Sequence, residues 1–194
     1  LSHFLEHMLF LGSRAFPEPS AFGHFLNLHG GQHNAWTGTE FSNFHFDCNA
    51  NALSRSLEFF ASMLKEPLLS DNWIDKEIQS IESEFRLKQN DELRRLYQVH
   101  KVTANPEHPF SQFSVGNLNT LKNDRHGSLK SKLKAFFNEH YVAQRMRLVI
   151  AGPQSLDELT RLAQQYFSDI KQESGPKEPI TAPLYLNEQK GVWI

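Results

Sequence analysis

Two histidines and a glutamate interrupt the apolar run HFLEHMLFLGS near the start of the chain. His3 and His7 are four residues apart, so in a helix their side chains lie on one face, one turn apart. Glu6 borders the same face. Two imidazoles can hold a zinc ion that lowers the pKa of bound water to about 7, and a neighbouring carboxylate can take the proton. The spacing therefore predicts a hydrolytic metal site.

The same spacing also fits two inert histidines on a partly exposed helix, because a five-residue pattern arises by chance. The apolar surroundings favour the metal, since three polar groups on an otherwise apolar helix need partners. Catalytic zinc usually has three protein ligands, so one more is required. The helical stretch DNWIDKEIQSIESEFRLKQ offers four acidic candidates, and spacing alone does not choose among them: Asp75, Glu77, Glu82 and Glu84.

The elements that must position these groups show both helical and strand patterns. Phe44, Phe46 and Cys48 alternate with His45 and Asp47, which predicts a strand with one apolar face. The apolar run at 145–152 predicts a buried strand. Helical periodicity covers the segments 2–11, 20–30, 53–64, about 71–102, 128–141 and 155–170. We therefore expect an α+β fold, with an antiparallel or mixed sheet and helices packed on one face.

The composition excludes some classes of protein and leaves others open. The 194 residues carry a formal net charge of -2, so no basic face predicts nucleic-acid binding. The apolar stretches are shorter than the ~20 residues that a membrane span needs. Cys48 is the one cysteine, so no internal disulfide can form, and both the cytoplasm and the periplasm remain possible.

The two ends of the sequence predict that it belongs to a longer polypeptide. It begins at Leu1 and enters a helix at once, and it stops at KGVWI, which is typical of the opening of a strand. We expect residues 1–172 to form the domain that carries the metal site, truncated at its N-terminus. Residues 173–194 are expected to form a linker and the start of a following domain.

Four segments together resemble the insulinase–pitrilysin family of inverzincin metallopeptidases, in its insulysin–pitrilysin branch: SHFLEHMLFLGS, GGQHNAWTGTEFSNFHFD, IESEFRLKQND and NPEHPFSQFSVGN. The resemblance covers essentially the whole chain. It implies the domain fold of processing peptidases and LuxS-like metallopeptidases. It also implies a zinc-dependent endopeptidase that acts on small peptides.

The resemblance further implies a role for each candidate residue of the metal site. In the family the third ligand is a glutamate 77 residues after the second histidine, which is Glu84 in this chain. His3, His7 and Glu84 are then the ligands of one zinc ion. Glu6 is the general base that activates the zinc-bound water, and Glu77 supports the ligands from behind.

The resemblance also implies how a peptide binds, as a strand added to an exposed sheet edge near the zinc. Phe10 and Tyr97 are expected to line a pocket for a substrate side chain, although core packing explains each of them equally well. The edge residues that match the family are Asn34, Ala35, Trp36 and Thr37.

The expected partners are the peptide substrate and the remaining domains of the same polypeptide. In the family a later domain supplies an arginine and a tyrosine that stabilise the oxyanion. We therefore expect these residues alone to hydrolyse peptides weakly or not at all. The alternative is a non-catalytic homologue that keeps the fold and binds peptides.

Overall fold

The computed structural model describes residues 1–125, 127–172 and 179–191. In these residues the chain forms seven α-helices and a two-stranded antiparallel sheet, so the expected α+β fold is confirmed. The helices are α1 (Ser2–Leu9), α2 (Ala21–Leu28), α3 (Leu53–Lys65), α4 (Asp71–Lys88), α5 (Glu92–Val102), α6 (Leu129–His140) and α7 (Leu156–Phe167). The strands are β1 (His33–Thr37) and β2 (Ser42–Phe46).

The sheet has one face against helices and one face toward solvent. In its register Ala35 pairs with Phe44 and Trp36 pairs with Asn43. Side chains alternate between the faces of a strand, and here Phe44 packs into the interior while Asn34 and Trp36 are exposed. The predicted alternation in β2 is thus confirmed, and it turns the Phe44 side of the sheet toward the helices.

The main core lies between α1 and α4, the two helices that carry the predicted ligands. Leu5, Met8 and Leu9 of α1 are fully buried, and Ile81 of α4 is fully buried against them. Burying one such aliphatic side chain contributes about 1.5–3 kcal/mol. This interface fixes α1 on α4, because the apolar residues of both helices recur every three or four positions.

A second core holds the sheet against α2 and α3. Phe22 and Leu26 of α2 pack on Phe59, Phe60 and Met63 of α3. Half-buried side chains of both strands and of the loop after α1 pack around this group: His33 of β1, Phe44 and Phe46 of β2, and Phe10 and Phe16 of the loop. This arrangement accounts for much of the chain's phenylalanine, and it holds β1 beside α1.

Two expectations about secondary structure need correction. The helical region from 71 to 102 is interrupted between α4 and α5, because the Asp91 side chain accepts a hydrogen bond from Arg94 N–H and starts a new helix. The buried strand expected at 145–152 is wrong. Leu148 and Val149 are 42% and 88% exposed, and within the described residues no strand pairs with them.

The failure at 145–152 has a simple physical reason. An apolar run satisfies its backbone hydrogen bonds as a strand only beside another strand. The linker and strand opening expected at 173–194 are described only for residues 179–191, so residues 173–178 and 192–194 of that prediction lie outside the described ranges. None of the helices in the described ranges is both long and apolar enough to span a membrane.

Candidate metal centre

His3 and His7 of α1 meet Glu84 of α4 at the interface between the two helices. One ligand atom from each residue lies within 4.8 Å of the other two. The Nε2 atoms of His3 and His7 lie 3.5 Å and 3.7 Å from Oε2 of Glu84. We call these three residues the ligand cluster. Two imidazole nitrogens and one carboxylate oxygen are the donor set of a catalytic zinc site with an open position.

Each histidine of the ligand cluster is held by a hydrogen bond at its other ring nitrogen. His3 Nδ1 lies 2.7 Å from the carbonyl oxygen of Val115, and His7 Nδ1 lies 3.1 Å from Oε2 of Glu77. A carbonyl oxygen only accepts, so the Nδ1 atom of His3 carries the proton. Its Nε2 lone pair therefore faces Glu84, which is the tautomer that a metal ligand requires.

The carboxylate of Glu77 favours the charged form of its histidine partner. Its hydrogen bond is the largest cause that raises the pKa of His7, against the opposing effect of burial. A carboxylate behind a ligating imidazole also makes the ring a better donor to a metal. Glu77 thus lies where a supporting residue is expected, one helix away from the ring that it holds.

The two oxygens of Glu84 have different partners. Lys88, one turn further along α4, donates to Oε1, while Oε2 faces the histidines. Burial works against ionisation of this carboxyl, but Lys88 and the two histidines hold its pKa below the usual value. The side chain is therefore ionised and ready to donate to a cation at neutral pH. The i, i+4 spacing of Lys88 is a signal in the sequence that the sequence analysis missed.

Glu6 lies between His3 and His7 on α1 and is 8% exposed. The hydroxyl of Thr37 on β1 donates a hydrogen bond to its Oε2 atom. A buried carboxylate needs such a donor, because burial without one is costly. The packing of β1 against α1 places Thr37 beside Glu6.

The two remaining acidic candidates, Asp75 and Glu82, lie outside the ligand cluster. Asp75 is exposed on the outer face of α4. Glu82 accepts a hydrogen bond of 3.0 Å from the backbone N–H of Leu118, in the loop whose Val115 carbonyl holds His3. Sequence reasoning missed Val115, since a backbone carbonyl leaves no signal in the side-chain pattern. Gly116, at φ +95°, is the local sign of a specific loop conformation.

The residues expected to bind substrate are only partly brought together. In β1, Asn34 and Trp36 point to solvent, and Trp36 contacts Phe41 edge to face at 5.0 Å. Phe10 stacks on His33 at 4.6 Å and belongs to the edge of the second core. Tyr97 lies on α5 and contacts Phe110 and Lys101.

The alternation of hydrogen bonds between the strands shows which backbone groups of β1 face away from β2. Asp47 N–H donates to Gln32 and Gly38 N–H donates to Phe41 across the sheet. In an antiparallel pair the bonded positions alternate, so the backbone of Ala35 points away from β2. The edge of β1 opposite β2 therefore carries the backbone groups of Ala35, two residues from Thr37, whose side chain contacts Glu6.

Comparison with known proteins gives the same family over most of the chain. Residues 1–110 match the insulinase family, peptidase family M16, and residues 129–192 match the inactive domain of peptidase M16. Insulin-degrading enzyme of Bos taurus is 36% identical over 179 residues, which are 91% of this chain and 18% of that enzyme. Protease 3 of Escherichia coli K12 is 33% identical over 194 residues, 100% of this chain and 20% of that protein.

A solved structure agrees with the sequence matches. The crystal structure of pitrilysin superposes with a TM-score of 0.91 at 33% identity, over 97% of this chain and 20% of that one. The chain therefore spans about a fifth of the length of these relatives. The two-stranded sheet, the helices packed on it and these matches confirm the resemblance in the sequence: the chain belongs to the insulinase family of peptidases, family M16.

Proposed function

We propose that this chain carries the metal centre of a zinc-dependent endopeptidase. His3, His7 and Glu84 are the ligands of one zinc ion, Glu6 is the general base, and Glu77 supports His7. The observation that carries the proposal is the ligand cluster, in which three donor atoms lie within 4.8 Å of one another. Membership of a family of zinc metalloproteases supports the choice of metal.

The residues of this chain would divide the chemistry as follows. Zinc, when bound, would act as a Lewis acid that polarises the scissile carbonyl and lowers the pKa of bound water. Glu6 takes the proton of the attacking water at its carboxylate and later gives it to the leaving amine. Its burial and its place beside His7 keep that proton close to the reaction and away from bulk solvent. The hydrogen bonds from His3 to Val115 and from His7 to Glu77 keep both imidazoles in the required orientation.

The peptide substrate is proposed to bind as a third strand along β1. The outward backbone groups of Ala35 lie two residues from Thr37, and such groups bond a main chain of any sequence. The Ala35 N–H now donates to the side chain of Asn34 at 2.8 Å, so the amide of Asn34 would move aside for the peptide. Phe10 and Tyr97 remain proposed pocket residues, and Trp36, which is 46% exposed, remains a proposed residue of the binding edge.

We also propose that residues 1–172 form the metal-binding domain, with 173–194 leading into the next one. Leu133 of α6 packs into the main core, and Leu162 of α7 packs on α3, which supports a single unit through α7. The remaining domains of a full-length peptidase would then be its partners in closing over the peptide.

Hydrolysis of a peptide by the Glu6→Gln variant separates this function from the non-catalytic alternative. The full-length protein is assayed with zinc for cleavage of a fluorogenic peptide. Loss of the general base is expected to lower kcat by about 10²–10⁴-fold. Glu18→Gln, which changes an exposed glutamate in the same way, should leave kcat intact. Equal cleavage by Glu6→Gln and wild type would support a peptide-binding homologue instead.

A further inference from the structure

A group of side-chain hydroxyls lies behind Glu6, on the side formed by the sheet and the C-terminal part of α6. Thr37 Oγ1 donates to Oε2 of Glu6, and Ser42 Oγ lies 2.9 Å from Thr37 Oγ1. Ser42 pairs with Thr37 across the sheet, which explains their contact. Ser2 Oγ lies 3.2 Å from Ser42 Oγ, and the buried side chain of Tyr141, the residue after α6, lies near Ser42.

The direction of the hydrogen bonds follows from how many protons each hydroxyl has. Thr37 donates its one hydroxyl proton to Oε2 of Glu6. The Thr37 oxygen then accepts the proton of Ser42. The Ser42 oxygen in turn accepts from Ser2. The hydroxyls therefore form a chain of donors that ends at a single oxygen of Glu6.

Tyr141 packs beside these hydroxyls as a fixed, uncharged side chain. Burial raises the pKa of its phenol, and the charge of Glu6 acts in the same direction, so the phenol keeps its proton over the working pH range. Its ring is fixed by a stacked contact with Phe137 at 5.1 Å. Ser2 holds Ser42 and Ser42 holds Thr37, so the hydroxyl that binds Glu6 is fixed and leaves Glu6 little freedom to rotate.

We propose that Thr37, supported by Ser42 and Ser2, is a positioning residue for the general base. By occupying Oε2 of Glu6, it leaves Oε1 as the oxygen that receives the proton of the attacking water. This inference rests on the proposed function. It gives the side chain of Thr37 a role distinct from the backbone contacts with the peptide that were expected of β1.

The test compares Thr37→Val with Thr37→Ser in the full-length, zinc-loaded protein. Valine keeps the shape and removes the hydroxyl, so kcat should fall about 10–100-fold, as for other residues that orient a catalytic group. KM and zinc content should stay at the wild-type values. Thr37→Ser should restore most of kcat. Thr39→Val, the same change at an exposed position two residues away, should have no effect.

A spectroscopic measurement on the zinc-free protein reports the contact without any turnover. Thr37→Val should shift a carboxylate stretching band in the infrared difference spectrum against wild type. The same substitution in a Glu6→Gln background should give no such band, and it should cause no further loss of kcat.

Three results would overturn the proposal: an unchanged kcat in Thr37→Val, a rise in KM with kcat preserved, or a Thr37→Ser variant as slow as Thr37→Val. The second would make Thr37 a substrate contact, and the third would make its methyl group the important part. Glu6→Gln in the same assay separates this inference from the proposed function. If Glu6→Gln cleaves normally, the proposed function fails, whereas a dead Glu6→Gln beside a normal Thr37→Val overturns the positioning role alone.

Discussion

His7 Nδ1 lies 3.1 Å from Oε2 of Glu77, across the interface between α1 and α4. The helix α4, which carries Glu77, also carries Glu84 about two turns further on. One helix therefore provides both a ligand and the support for a ligand on its neighbour. The geometry of the ligand cluster depends on how α1 and α4 pack.

Glu77→Gln is expected to weaken zinc binding about 10–100-fold, because a neutral amide makes the His7 ring a poorer donor and orients it less firmly. Competition with a chromogenic chelator at pH 7.5 measures the change in Kd. Asp75→Asn, on the exposed face of the same helix, is the matched control and should bind zinc like wild type. Equal Kd values for Glu77→Gln and wild type would contradict a supporting role for Glu77.

Gly116→Ala is expected to weaken zinc binding through His3. Gly116 has φ +95°, and an added Cβ would lie 3.1 Å from Cδ1 of Leu121. Left-handed backbone costs a non-glycine residue about 1–2 kcal/mol, so the loop should relax and move the Val115 carbonyl that holds His3. Chelator competition and thermal unfolding should both show a loss. Wild-type values in both measurements would show that the loop does not control His3.

Ile81→Ala is expected to lower the free energy of unfolding by about 2–5 kcal/mol, since Ile81 is fully buried between α4 and α1. Ile81→Val removes one methyl group and should cost about 0.5–1.5 kcal/mol. Urea denaturation of the zinc-free protein measures both. A loss for Ile81→Ala no larger than that for Ile81→Val would argue against tight packing beneath the ligand cluster.

His33 should make stability depend on pH. It lies between Phe10 and Phe22, with ring centroids 4.6 and 5.4 Å away, and burial lowers its pKa from 6.5. A lowered pKa means that folding favours the neutral ring. Its contribution to stability is therefore present above pH 6.5 and is lost as the pH falls through the lowered pKa.

The measurement for His33 is the difference in unfolding free energy between wild type and His33→Phe, followed from pH 7.5 to pH 5. Phenylalanine keeps the stacking and cannot take a proton. The variant should lose less stability than wild type over this range. The same pH dependence in both proteins would show that another group is responsible.

The sequence was sufficient for the parts of the fold that local pattern determines. The i, i+4 spacing of His3 and His7 and the alternation in β2 predict elements that the structure contains. The break between α4 and α5 was missed because Asp91 works as a helix cap only in its actual backbone conformation. The strand expected at 145–152 was wrong because strand formation depends on a neighbour that no local pattern reveals.

The candidate site shows the same division. Choosing Glu84 over the other acidic residues required the family resemblance, since spacing fits several of them. The Val115 carbonyl and the hydroxyls behind Glu6 come from segments far apart in sequence. Such contacts arise only when the loop after α5, the sheet and α6 pack around α1. For this reason the ligands are easier to predict than the residues that orient them.

Zinc content of wild type and Glu84→Gln, measured by mass spectrometry after dialysis against metal-free buffer, tests the central claim most directly. The account predicts about one zinc ion per wild-type chain, from the three-ligand donor set, and little or none in Glu84→Gln. Asp75→Asn should match wild type. A wild-type protein without metal, or a Glu84→Gln variant that keeps a full zinc ion, would contradict the assignment of the ligand cluster.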